Sequence, residues 1–138
     1  GVAMAQSTEI EQARNELQAG RDQIIREELG LSAEQHAGFW PIYRAYVARL
    51  SPLRDRKAAL VRRFVEAYEA GEFDDEFAEW LIAENFAIKE AWLGVQKEFS
   101  GGFRSVLPVQ KVARFYQLEN KMDAEIDAQL ALAVPLLK

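Results

Sequence analysis

The chain contains no cysteine, one histidine and four prolines in 138 residues, and nothing approaching 18 consecutive apolar residues. Without cysteine there is no disulfide, no thiolate-bound zinc, no iron–sulfur cluster and no thiol nucleophile. With His36 as the single imidazole, every centre built on two histidines is excluded, including helical zinc proteases and paired Glu-x-x-His di-iron bundles. The absence of a long apolar run excludes a membrane span of the ordinary kind. Acids outnumber bases 22 to 17, which gives a formal charge of −5 and argues against nucleic acid as a partner. No serine–histidine–aspartate set, phosphate-cradling glycine loop or nucleotide motif occurs, so the reading is of a protein without catalytic residues and without a bound cofactor or metal.

What is present favours helix. Alanine, leucine, glutamate, glutamine, arginine and lysine dominate, and 49% of residues are hydrophobic, enough for one core in a chain of this length. Residues 1–7 read as the remnant of a signal peptide, since Ala3-Met4-Ala5 has the small-x-small form that precedes a mature start. Residues 8–138 read as a single helical domain. Thr8 and Glu11 form a capping box for a first helix, which ends at Gly30.

Ser32 then caps a second helix, with Gln35 at the reciprocal position. From there to Ala70 only Pro41 and Pro52 interrupt, and each can be absorbed as a kink. Phe39, Tyr43, Tyr46, Leu50, Leu53, Lys57, Leu60, Phe64 and Ala67 recur at steps of four and three, the spacing of a helical seam. Gly71 ends this run. Asp74 or Asp75 opens a third helix carrying Phe77, Leu81, Ile88, Trp92, Val95, Phe99 and Phe103 on one side. Counting back from the turn sets Lys57 against Glu84 or Asn85, so a Lys57–Glu84 seam pair is expected to fix the register. Pro108 starts a fourth helix through Phe115, Leu118, Met122, Ile126 and Leu130, which Pro135 ends.

The fold expected is therefore all-α: an elongated antiparallel hairpin with flanking N- and C-terminal helices, four in all. At 1.5 Å per residue the second helix alone runs roughly 58 Å, against a radius of gyration of about 14 Å for a compact globule of this size. So long a hairpin has a thin core, and a homodimer is the expected way to cover what it leaves exposed.

Charge is segregated along the hairpin. Residues 44–63 hold seven bases against Asp55, whereas residues 66–98 hold ten acids against Lys89 and Lys97. Mutual neutralisation across the hairpin is one reading of this pattern. The functional reading is a basic, partly apolar surface formed by Trp40, Val47, Arg49, Arg54, Arg56, Val61, Arg62 and Tyr68, suited to acidic or unfolded protein segments. Glu119, Asp123 and Asp127 recur every four residues and read as a solvated face. His36 with Glu34, Met4 or Met122 is too poor a donor set for a metal or haem centre.

Leu31-Ser32-Ala33-Glu34-Gln35 resembles the LTxxQ motif of the periplasmic Spy/CpxP family, which includes CnrX-like metal sensors. Phe39-Trp40-Pro41-Ile42-Tyr43 and the stretch from Leu107-Pro108 to Lys121 look like an uncharacterised branch of that family. At the second motif position Leu107-Pro108-Val109-Gln110 carries proline where the motif has threonine. The resemblance implies a hooked four-helix hairpin, often dimeric, in the bacterial periplasm. It also implies ATP-independent chaperoning of unfolded proteins or the sensing of envelope stress. The alternative is a regulatory module that binds one membrane-anchored partner.

Overall fold

The computed structural model describes residues 2–137, with side chains described for Glu9 and for residues 11–137. The Ala3-Met4-Ala5 processing motif, the Met4 ligand and the Thr8 cap all fall on side chains outside the described residues. Four helices follow in order: α1 (Val2–Glu28), α2 (Ala33–Ala70), α3 (Asp75–Val106) and α4 (Val109–Ala133). The all-α, four-helix expectation holds. α1 starts before Thr8 and passes through Gly20 unbroken.

Each boundary has a local cause. Ser32 Oγ accepts from the Gln35 amide at 3.2 Å, and the Gln35 side chain accepts from the Ser32 amide at 3.0 Å. The Leu31–Gln35 motif is thus a capping box that starts α2. Gly71 closes α2 in the left-handed region at φ 69°, where a side chain would be strained. Asp74 caps α3 by accepting from the Phe77 amide at 2.8 Å. Pro108 occupies the N-cap position of α4, where its missing N–H leaves no intrahelical bond unmade. Pro41 and Pro52 both lie inside α2, and neither ends it.

Packing follows the predicted seam. On α2 the side chains of Phe39, Tyr43, Tyr46, Leu50, Leu53, Phe64 and Ala67 are buried, and on α3 those of Ile88, Val95 and Phe103. The main core lies towards the α1–α2 turn, where Phe39, Tyr43, Tyr46 and Phe103 surround Phe115 of α4. Gly38 lies against α3, where a Cβ would meet the Val106 side chain at 3.0 Å. Lys111 and Arg114 of α4 reach back to the α1–α2 turn. Lys111 bonds the Gly30 carbonyl and, at 3.0 Å, the Gln35 side chain, while Arg114 Nε donates to the Glu28 carbonyl at 2.6 Å. At the far end Phe64, Phe73 and Phe77 form a smaller aromatic ladder, with Arg63 stacked on Trp80 at 4.1 Å.

The expected seam pair is not formed. Glu84 bonds Arg56, and Lys57 bonds Asp127 of α4. One residue along a helix is a rotation of about 100°, so a one-place error in counting back from Gly71 turns Lys57 from α3 towards α4.

Candidate functional site

The predicted basic surface on α2 is mostly consumed inside the chain. Arg49 pairs with Glu98 at 2.7 Å, Arg54 with Asp123 at 3.1 Å, and Arg56 with Glu84. Arg54 also lies over the Trp92 ring at 4.7 Å. The Arg49 and Arg56 pairs follow the neutralising reading across the hairpin, whereas Arg54 pairs with α4 instead. Trp40 is corrected from surface to core: it is buried, its indole N–H donates to His36 Nδ1 at 3.0 Å, and Arg26 covers its face at 4.4 Å. Val47 packs on the core, Val61 is half-buried, and half-buried Tyr68 stacks on Phe64. Of the eight surface residues, Arg62 is exposed and makes no ion pair among the described residues.

An exposed apolar strip lies instead on α3. Ile82, Phe86 and Leu93 are 58%, 57% and 51% exposed. At about 100° per residue they fall within an arc of about 40°, so they form one stripe. The same stripe carries Asp75 and Glu79 before the apolar stretch, Lys89 within it, and Lys97 and Arg104 after it. These five charges are exposed and make no ion pair among the described residues, unlike Glu84 and Glu98 on the inner flank. The face therefore runs from acidic through apolar to basic. Composition alone did not reveal it, because the net acidity of residues 66–98 hides the order of the charges.

A second feature is buried. Glu119 is 2% exposed and is the one charged residue of the described core. Its Oε2 accepts from Arg21 of α1 at 3.1 Å, and Asp123 accepts from both Arg21 and Arg54 at 3.1 Å. Glu119 Oε1 and the Tyr46 hydroxyl are buried without a hydrogen-bond partner among the described residues. This corrects the solvated-face reading at Glu119 and at half-buried Asp123, while Asp127 stands exposed beside Lys57. A signal was available: Glu119 sits between Phe115 and Met122 at seam spacing, a position that helical periodicity points inward.

Burial raises the Glu119 carboxyl above its ordinary 4.5, with Arg21 opposing and Asp123 adding to the rise. Burial also raises the Tyr43 and Tyr46 hydroxyls, so both stay neutral. A carboxyl raised on folding contributes stability that is complete below 4.5 and is lost as pH rises through the folded value. Between neutrality and pH 4.5 the wild type is therefore expected to gain stability on acidification relative to Glu119→Gln. Urea midpoints of the two proteins across that window check this, and midpoints that shift in parallel would contradict it.

Among the described residues no group of three or more histidine or acidic side chains is placed to hold a metal ion, and no helix is long and apolar enough to cross a membrane. Neither a family model, nor a curated protein, nor a solved structure matches this chain.

Proposed function

We propose that this chain is a non-enzymatic, periplasmic protein-binding protein of the ATP-independent chaperone or envelope-stress-sensor type, working from the outward face of α3. The observation that carries the reading is the stripe of Ile82, Phe86 and Leu93, three large side chains more than half exposed and aligned on one helix. A contiguous apolar strip edged by charge is suited to transient capture of unfolded segments. The resemblance of Leu31–Gln35 and of the α4 stretch to Spy/CpxP proteins supports the same class and compartment.

The test is a triple variant, Ile82→Ser with Phe86→Ser and Leu93→Ser. Because these side chains are exposed, stability is expected to change little, by about 1 kcal/mol or less in all. Suppression of aggregation for several unrelated unfolding proteins is expected to fall at least fivefold. Undiminished suppression would refute the α3 face as the capture surface.

The order of charges favours a second reading, a module for one specific partner. A helix lying antiparallel on α3 with the same acidic–apolar–basic order sets base against acid at both ends. A second copy of α3 meets that requirement under a two-fold axis, as a homodimer does. In that reading wild-type protein sediments at twice its 15.7 kDa and the triple serine variant at that mass.

A further inference from the structure

We propose that the seat of α1 against α2 and α4 is a latent binding site for an arginine-bearing helix of a partner protein, with α1 and its Arg21 as a displaceable built-in occupant. The proposal rests on the protein-binding reading only for the existence of such a partner.

The first observation is how α1 is held. From Glu11 to Ile24 none of its side chains is buried, and Leu17 stands 70% exposed. Over this stretch the side-chain bonds to the rest of the fold are polar. Arg14 pairs with Asp55 at 2.7 Å, Gln18 Nε2 donates to the Tyr43 hydroxyl at 3.0 Å, and Arg21 reaches Glu119 and Asp123. Both partners of the Arg14 pair are about half exposed, so that pair adds little. Among the described side chains of this segment, the buried apolar ones are Ile25 and Leu29, beside the turn. A helix attached in this way opens locally at less cost than global unfolding while its base stays fixed.

The second observation is that the seat is built for more than α1 supplies. Glu119 is almost fully buried, yet one carboxylate oxygen has no partner among the described residues. Asp123 is shared between Arg21 and Arg54. The Tyr43 hydroxyl accepts from Gln18, one turn before Arg21, at 3.0 Å. Two carboxylates side by side suit a planar guanidinium, which can bond both at once, whereas an ammonium bonds as a point charge. Arg21 shows that such a group fits when carried on a helix, and Glu119 Oε1 is an acceptor that Arg21 does not use. Because α1 is tethered, it competes at the high effective concentration of an intramolecular ligand, so an external helix binds well only when Arg21 is lost or outmatched.

The experiment uses a fluorescein-labelled peptide of residues 9–28 and the full-length protein, with fluorescence anisotropy as the readout. The peptide is expected to bind the Arg21→Met protein at least tenfold more tightly than the wild type. A peptide carrying Arg21→Met is expected to bind neither, and an Arg21→Lys peptide to bind more weakly than the arginine peptide. Equal binding to both proteins, no binding to the variant, or indifference to the peptide's arginine would overturn the proposal. Hydrogen exchange within α3 reports whether the variant is folded. If it is not, excess arginine peptide must raise amide exchange over residues 11–24 of the wild type, and unchanged exchange overturns the proposal. Aggregation suppression by the α3 face is read separately, so failure of either reading leaves the other distinguishable.

Discussion

Phe115→Ala is expected to cost about 4 kcal/mol, the range for removing a fully enclosed aromatic side chain. Phe115 is 0% exposed, and its ring is surrounded by those of Phe39 at 5.4 Å, Tyr43 at 5.8 Å, Tyr46 at 6.0 Å, Phe103 at 4.6 Å and Tyr116 at 5.3 Å. These neighbours come from α2, α3 and α4, so no single helix can move to fill the space. Single domains hold only about 5–15 kcal/mol in reserve, and a loss of this size takes up a large share of it. Urea unfolding followed by circular dichroism measures the change. A loss below about 1.5 kcal/mol would mean that the ring cluster is not the centre of the fold.

Arg21→Met is expected to cost about 3 kcal/mol by a different route. The substitution keeps an unbranched chain of similar length and removes the guanidinium, so Glu119 loses its ion-pair partner in a buried site. Arg54 still holds Asp123, which softens the loss. The loss is also capped by the free energy of docking α1, because α1 can come away and let water reach the carboxylate. Hydrogen exchange is therefore expected to rise to near solvent rates over residues 11–24 while α2, α3 and α4 keep their protection. The double variant Arg21→Met with Glu119→Leu replaces the ion pair by apolar groups and is expected to recover most of the stability. Failure of the double variant to recover would contradict the assignment of the loss to the stranded carboxylate.

The hairpin was legible because α2 and α3 carry their apolar residues at regular steps of three and four. Ser32, Gly71 and Asp74 mark the ends by side-chain and backbone chemistry that operates locally. What was not legible depends on how helices rotate against one another. Lys57 and Arg56 are neighbours in sequence but face α4 and α3 respectively, and no local rule distinguishes them. Trp40 was placed on the surface because it lies one position past the seam. Arg26 and His36 complete its cover from two directions that only the folded chain brings together. Glu119 was read by its charge rather than by its seam position, and its partner Arg21 lies 98 residues away. The outward stripe of α3 is not legible for a related reason. Its large side chains were not needed for the seam, and their exposure depends on the absence of a neighbour.

The central claim is that the outward face of α3 is where this chain holds other proteins, and hydrogen exchange in the presence of an unfolded client tests it most directly. Protection is predicted to appear on amides and side-chain labels around residues 82–93, with α2 unchanged between residues 44 and 63. Protection confined to the arginine-rich stretch of α2, with none on α3, would contradict it.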